Sequence, residues 1–268
     1  MTQSATATNL ECSIDLEAIL TDGNTNYPFN NIATTCRLME EAGLPEKLGG
    51  DCYDQVTRMI EKIRGAGQEA LYIAAGYHFG ILTEGSERAY LDPTLSMRDP
   101  MYLDELSSEK PLRANTYPVV QDKSSFLSVN LTGDILRSEW NVPRPGVDGN
   151  AEIPRMARQT NEFDLRRATD GIDYNPDVVR KFFHDYVRTL AWNTVTPETG
   201  EVITLSLGVE GAVSARSSEL KNRLTSGTDD CEKRLHIVAK TTGLTRAELD
   251  EFLELGQAKF RELKARPL

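Results

Sequence analysis

Cysteine and histidine are scarce in this chain, and their scarcity removes whole classes of chemistry. The 268 residues hold four cysteines (Cys12, Cys36, Cys52, Cys231) and three histidines (His78, His184, His236). No two cysteines form a C-x-x-C pair, so the close ligand spacing of a structural zinc site is missing and no metal is expected. Apolar runs long enough to cross a bilayer are also missing, so no membrane partner is expected. The first residues, Met1-Thr2-Gln3-Ser4-Ala5-Thr6-Ala7-Thr8, have neither a basic start nor an apolar stretch. No secretory leader is therefore expected, and the expected location is cytoplasmic, where thiols stay free. Positive charge is in deficit too. Lys and Arg number 30 against 41 Asp and Glu, a formal net charge of −11. Such a chain repels phosphate backbones, and no dense Lys/Arg stripe offsets this, so nucleic acid is not an expected partner. No G-x-S-x-G elbow, P-loop or G-x-G-x-x-G pattern occurs.

What is present reads first as helices. Leu10, Leu16, Ile19 and Leu20 suggest a short helix over 10–20. After the turn Tyr27-Pro28-Phe29-Asn30-Asn31, Ile32, Cys36 and Met39 fall at helical spacing, with Gly43 as the stop. Cys36 on that stripe is a core residue. Gly49-Gly50 frees the backbone, and a third helix runs from Cys52 to about Ile63 with Val56, Met59, Ile60 and Ile63 inside. The period then changes to that of strands over 70–75, 77–83 and 88–92, the last two joined around Gly85. Further strands are predicted over 118–121, 126–131 and 201–207. Pro143, Pro145, Gly146, Gly149 and Pro154 mark 138–162 as a long loop. A helix is predicted from Pro176 to about Trp192. Another opens at the capping box Thr245-Arg246-Ala247-Glu248.

Cys52 carries the chemical interest. A helix N-terminus stabilises an anion, and an imidazolium partner adds to this, so a low thiol pKa and a ready thiolate are expected. The first-turn N–H groups are expected to hold an oxyanion. His78 and Asp92 follow in chain order. If the hairpin is centred on Gly85, paired residues sum to 170, and His78 stands directly opposite Asp92 on one face. Asp92 would then fix the imidazole tautomer while the other ring nitrogen faces Cys52. A one-residue slip would separate them. His184-Asp185 falls off the apolar stripe of its helix and reads as a solvated pair. His236, five residues from Cys231, lacks further ligands.

These motifs resemble the arylamine N-acetyltransferase family. Its Pro-Phe-Glu-Asn-like turn is matched by Pro28-Phe29-Asn30-Asn31, and its Arg-Gly-Gly-x-Cys by Leu48-Gly49-Gly50-Asp51-Cys52. The strand His and Asp would be His78 and Asp92. The similarity is best over 27–95. Leu48 replaces the family's usual Arg, and Pro93-Thr94 follows the Asp. The resemblance implies an α+β fold with a helical first domain (1–68), a β-barrel-like antiparallel middle domain (69–160) and an α/β C-terminal region (161–268). It also implies ping-pong acyl transfer from a thioester through acyl-Cys52, with Cys52, His78 and Asp92 catalytic. No cofactor would be bound permanently. The co-substrate would be an acyl-CoA or acyl-carrier-protein thioester, and the acceptor a small-molecule amine. Competing readings are a transglutaminase-like or other cysteine hydrolase with the same triad order, and a non-enzymatic binding module. Transfer and hydrolysis differ in acyl fate: amide with an added amine, or free acid alone.

Overall fold

The computed structural model describes residues 14–40, 43–85, 87–117, 125–143, 155–196, 200, 202–209, 213–217, 224–225 and 227–267. These form an α+β fold with six α-helices and three antiparallel four-stranded sheets. Three helices come first: α1 (Leu16–Asn26), α2 (Asn31–Leu38) and α3 (Cys52–Gly65). Each starts at a side-chain cap. Asp15 accepts from Ala18 N–H, Asn30 from Ile32 and Ala33 N–H, and Asp51 from Tyr53 and Asp54 N–H. The helix expected over 10–20 starts later, at the Asp15 cap, and its predicted first residues lie outside the described ones.

The first sheet has the order β1 (Ala70–Ala75), β2 (His78–Thr83), β3 (Ala89–Leu91) and β4 (Met101–Tyr102). The second runs β5 (Leu112–Asn115), β6 (Phe126–Thr132), β7 (Ile135–Pro143) and β8 (Arg155–Asp164). These two sheets share one core, to which Ile73, Leu82 and Tyr90 contribute from the first and Leu127, Leu136 and Phe163 from the second. Single bridges, Tyr72 with Thr169 and Met97 with Thr116, tie their edges. The arrangement is a pair of facing sheets, and among the described residues no continuous ladder closes it into the expected barrel. The two-residue β4 is too short to carry the ladder around.

The described parts of the stretch 138–162 are strand rather than loop. Its two ends are the long strands β7 and β8, paired from Ile135 with Asp164 to Pro143 with Arg155. Alternating Leu136, Ser138 and Trp140 on β7 face inward, and the Pro/Gly residues that suggested a linker are concentrated between the strands. β8 also runs through residue 160, where a domain boundary was expected. The segment 118–121, predicted as a strand, lies outside the described residues.

After α4 (Pro176–Asp185) come β9 (Thr189–Val195), β10 (Val202–Gly208), β11 (Ser214–Ser217) and β12 (Leu224–Thr225), which form the third sheet. The helix predicted to reach Trp192 therefore stops at Asp185. Leu190, Trp192 and Thr194 alternate inward as a strand instead. Helices α5 (Asp229–Thr242) and α6 (Arg246–Ala265) close the chain. The sequence reading missed α5, although Thr228 caps it and Gly243 ends it at φ 63°.

The three first helices do not share a core. Ile32 and Cys36 of α2 pack with Trp192, Leu205, Val238 and Phe252 of the C-terminal elements. Leu20 of α1 and Val56, Ile60 and Ile63 of α3 pack on Tyr72 and Ile81 of the first sheet. The Gly49-Gly50 pair lies at the junction. Gly50 N–H donates to Pro28 O (3.3 Å), and Asn30 N–H donates to Gly50 O (2.6 Å). Asn30 Nδ2 also donates to Leu48 O (2.7 Å). Gly49 has φ +76°, and a Cβ there would lie 1.9 Å from Pro28 O. A Cβ on Gly50 would lie 2.0 Å from the Asp54 carboxylate.

These contacts predict that Gly49→Ala lowers stability by about 2 kcal/mol or more, from left-handed strain together with the clash. Gly133→Ala is the control: φ there is +59° but the space is open, so only about 1 kcal/mol is expected from strain alone. Urea midpoints of the two variants measure the difference, and equal losses would contradict the close-approach account.

Candidate active site

The site is built where α3 meets the end of β2. His78 is the first residue of β2, and its Nε2 lies 2.8 Å from Asp92 Oδ2. The register that achieves this differs from the expected one. Leu82 pairs with Tyr90 and Ile81 with Leu91, so pairs sum to 172 rather than 170. A two-residue shift preserves the face because side chains alternate with period two. His78 therefore reaches Asp92 diagonally rather than from directly across.

Asp92 is fully buried, so its carboxylate depends on protein partners. Oδ2 also accepts from Tyr90 OH (2.7 Å), and Oδ1 accepts from Leu95 N–H (3.2 Å). Tyr90 OH lies 3.2 Å from Ser138 Oγ, which accepts from Asn161 Nδ2 at 3.5 Å. A buried polar chain thus runs from His78 through both facing sheets. Burial, then the Asp92 charge, push the Tyr90 phenol well above its ordinary pKa, so it stays a donor. With Asp92 accepting from an imidazole Nε2–H, a neutral ring keeps its lone pair on Nδ1.

Cys52 is the first residue of α3. Its thiol donates to Tyr77 O at 3.3 Å and its sulfur accepts from the Phe79 N–H. The sulfur thus lies against the peptides on both sides of His78. It makes this pair of bonds with the strand backbone, and among the described residues no hydrogen bond joins it to the imidazole. The expectation of a depressed thiol pKa is corrected: burial, then the Asp51 charge, push it well above the ordinary value. Two of the first-turn N–H groups expected to hold an oxyanion are already engaged. Asp51 Oδ1 already accepts from Tyr53 N–H (2.9 Å) and Asp54 N–H (3.1 Å). The resting thiol is neutral.

Asp51 was missed as a site residue, although Asp51-x-x-Asp54 has capping-box spacing. It is 7% exposed, and burial, then the neighbouring Asp54 charge, raise its carboxyl pKa from 3.8 to about 7. Asp54 in turn pairs with Arg37 (3.1 Å), which also donates to Gly49 O (2.9 Å). Beside Cys52 and Asp51 opens a cavity of about 320 Å³, lined predominantly by apolar and aromatic side chains. Tyr53 stacks on Tyr174 (centroids 4.5 Å apart) and Tyr77 on Phe182 (4.3 Å), so α4 and the segment before it form the outer wall. His184 is bonded to Asp185 (2.8 Å) and does not line this cavity. His236 lies in a shallow hollow along α5 with acidic and basic neighbours. Among the described residues no group of three or more His, Cys, Asp or Glu side chains is placed to hold a metal. Compared with models of known protein families and with curated proteins, the chain matches none.

The Asp51 charge predicts a pH signature. Asp51→Asn keeps the cap but removes a carboxylate that opposes the thiolate. At pH 8 iodoacetamide should alkylate Cys52 several-fold faster in the variant. At pH 5.5 Asp51 is largely protonated in the parent, and the two rates should converge. An unchanged rate at pH 8 would contradict the coupling. Because the folded-state value lies above the unfolded one, this group's contribution to stability is complete below about pH 4 and lost as pH rises through about 7. Urea midpoints of the variant should lack that fall.

Proposed function

We propose that this protein is an acyltransferase that carries an acyl group from a thioester to an amine through acyl-Cys52. The observation that supports this best is an imidazole anchored at Nε2 by a buried carboxylate, on the strand whose backbone on either side of it holds a cysteine sulfur at the wall of an apolar cavity. In this reading His78 Nδ1 takes the Cys52 thiol proton. The thiolate attacks the thioester carbonyl, the donor's C–S bond breaks, and the donor thiol leaves with the proton from His78. An amine then attacks the acyl-Cys52 carbonyl, a C–N bond forms, and the Cys52 sulfur leaves and recovers its proton through His78. The donor is an acyl-CoA or acyl-carrier-protein thioester, and the acceptor a small-molecule amine. On this reading the helices, facing sheets and C-terminal layer are a divergent form of the three-domain arylamine N-acetyltransferase arrangement.

A thiol raised by burial suits such a cycle, because the neutral sulfur resists oxidation and charges only when His78 takes its proton. A cysteine hydrolase could use the same three side chains. The apolar, aromatic wall favours transfer, since it excludes water from the acyl-enzyme more than it excludes an amine with an apolar body.

Incubation with a panel of acyl thioesters should add one acyl mass that maps by peptide analysis to Cys52, and Cys52→Ala should add none. Amide should form when an amine is supplied. An acyl mass on Cys36 or Cys231, or free acid as the sole product across a panel of amines, would overturn the proposal. Asp92→Asn should lower the acylation rate by two orders of magnitude or more, because the imidazole loses its fixed tautomer. An unchanged rate would remove Asp92 from the machinery.

A further inference from the structure

The carboxylate beside the nucleophile is only half used. Asp51 Oδ1 caps α3, whereas Oδ2 has no hydrogen-bond partner among the described residues. The residue is more than nine-tenths buried and forms part of the cavity wall next to Cys52. The other charged group that lines the cavity is Asp173, exposed at its rim; no Lys, Arg or His lines it among the described residues. The one guanidinium close by, Arg37, is taken up by Asp54 and Gly49 O. The rest of the wall is predominantly aromatic and aliphatic, with Tyr53 stacked on Tyr174. Burial, then the Asp51 charge, push the Tyr174 phenol up, which places ring and carboxylate within electrostatic reach.

A single buried carboxylate in an aromatic-walled cavity is a receptor for an ammonium group. The carboxylate supplies the counter-charge, and the aromatic wall shields the pair from water. A neutral arylamine gains little from it. An alkylamine, protonated at neutral pH, gains a desolvated ion pair. We propose that the acceptor is a protonated aliphatic amine carried on an apolar body, and that Asp51 Oδ2 binds its ammonium group and accepts one proton from it.

The proton balance follows. The ammonium passes one proton to the Asp51 carboxylate, and the freed nitrogen lone pair attacks the acyl-Cys52 carbonyl. The C–N bond forms, the C–S bond breaks, and the second nitrogen proton returns to the Cys52 sulfur through His78. Asp51 then loses its proton to solvent as product leaves. A carboxyl near pH 7 is poised for both transfers. The groups facing Asp51 are Asp54 and Arg37, which oppose each other in effect, together with Cys52, Tyr53 and Tyr174. The amide-forming step should therefore rise between about pH 6 and 8 as Asp51 ionises.

The inference rests on the acyltransferase reading, and two half-reactions separate them. The parent and Asp51→Asn are each acylated with a short-chain N-acetylcysteamine thioester, and the acyl-enzyme is quantified by intact mass. Its loss is then timed with 2-phenylethylamine and with aniline at pH 7.5. The parent should react at least tenfold faster with 2-phenylethylamine. Asp51→Asn, which still caps the helix, should lose tenfold or more of that rate while the aniline rate changes less than threefold. Faster reaction with aniline in the parent, or an undiminished 2-phenylethylamine rate in the variant, would overturn the proposal and leave acyl transfer standing. If no acyl mass appears, calorimetric binding of 2-phenylethylammonium decides the site alone. Binding weakened tenfold in Asp51→Asn supports the ammonium site without acyl transfer, and equal or absent binding rejects it.

Discussion

A carboxylate with no exposure to water must be satisfied by the protein around it, and Asp92 is such a group. Its three contacts, to His78 Nε2, Tyr90 OH and Leu95 N–H, come from β2, β3 and the turn that follows β3. Losing any one would leave a buried carboxylate oxygen short of a partner. The need to satisfy this group therefore fixes the diagonal relation of β2 to β3. Through Tyr90 and Ser138 it also ties the first sheet to the second. The imidazole inherits its orientation from the same requirement, so the fold and the candidate chemistry share one interaction.

Cys52 reaches its place by a different route. Gly49 and Gly50 let the chain lie against Pro28, and Asp51 then turns it into α3. The capping carboxylate takes two of the N–H groups that would have favoured a thiolate, and its charge opposes one. A site with a neutral thiol, a near-neutral carboxyl and a fixed imidazole differs from a preformed ion pair. In the proposed cycle it would charge only when a substrate and a proton acceptor are in position.

Much of this was legible in the sequence because it is local. The apolar stripe of α3, the caps Asn175-Pro176 and Thr245-x-x-Glu248, and the alternation of β1 and β2 depend on neighbours in the chain. The face shared by His78 and Asp92 was legible too, since an even shift of register leaves it intact. What was not legible depends on distant contacts. The wall that α4 builds over Cys52 needs Tyr174 and Phe182 to find Tyr53 and Tyr77 more than 100 residues upstream. The Pro176 helix was expected to continue to about Trp192, and pairing of β9 with β10 overrides that. The thiol pKa was misread because the helix end was considered without its burial and its charged cap. The Asp51 signal was printed in the motif, but its meaning came only from the cavity beside it.

The central claim is that Asp92 holds His78 as the Nε2–H tautomer and so leaves Nδ1 free as a base. Nitrogen-15 NMR of the imidazoles reads this directly, and with three histidines in the chain a His78→Gln spectrum assigns the signal. At pH 7.5 the account predicts a protonated Nε2 and an unprotonated Nδ1 for His78, and loss of that single-tautomer pattern in Asp92→Asn. A proton on Nδ1 with Nε2 bare in the parent protein would contradict it.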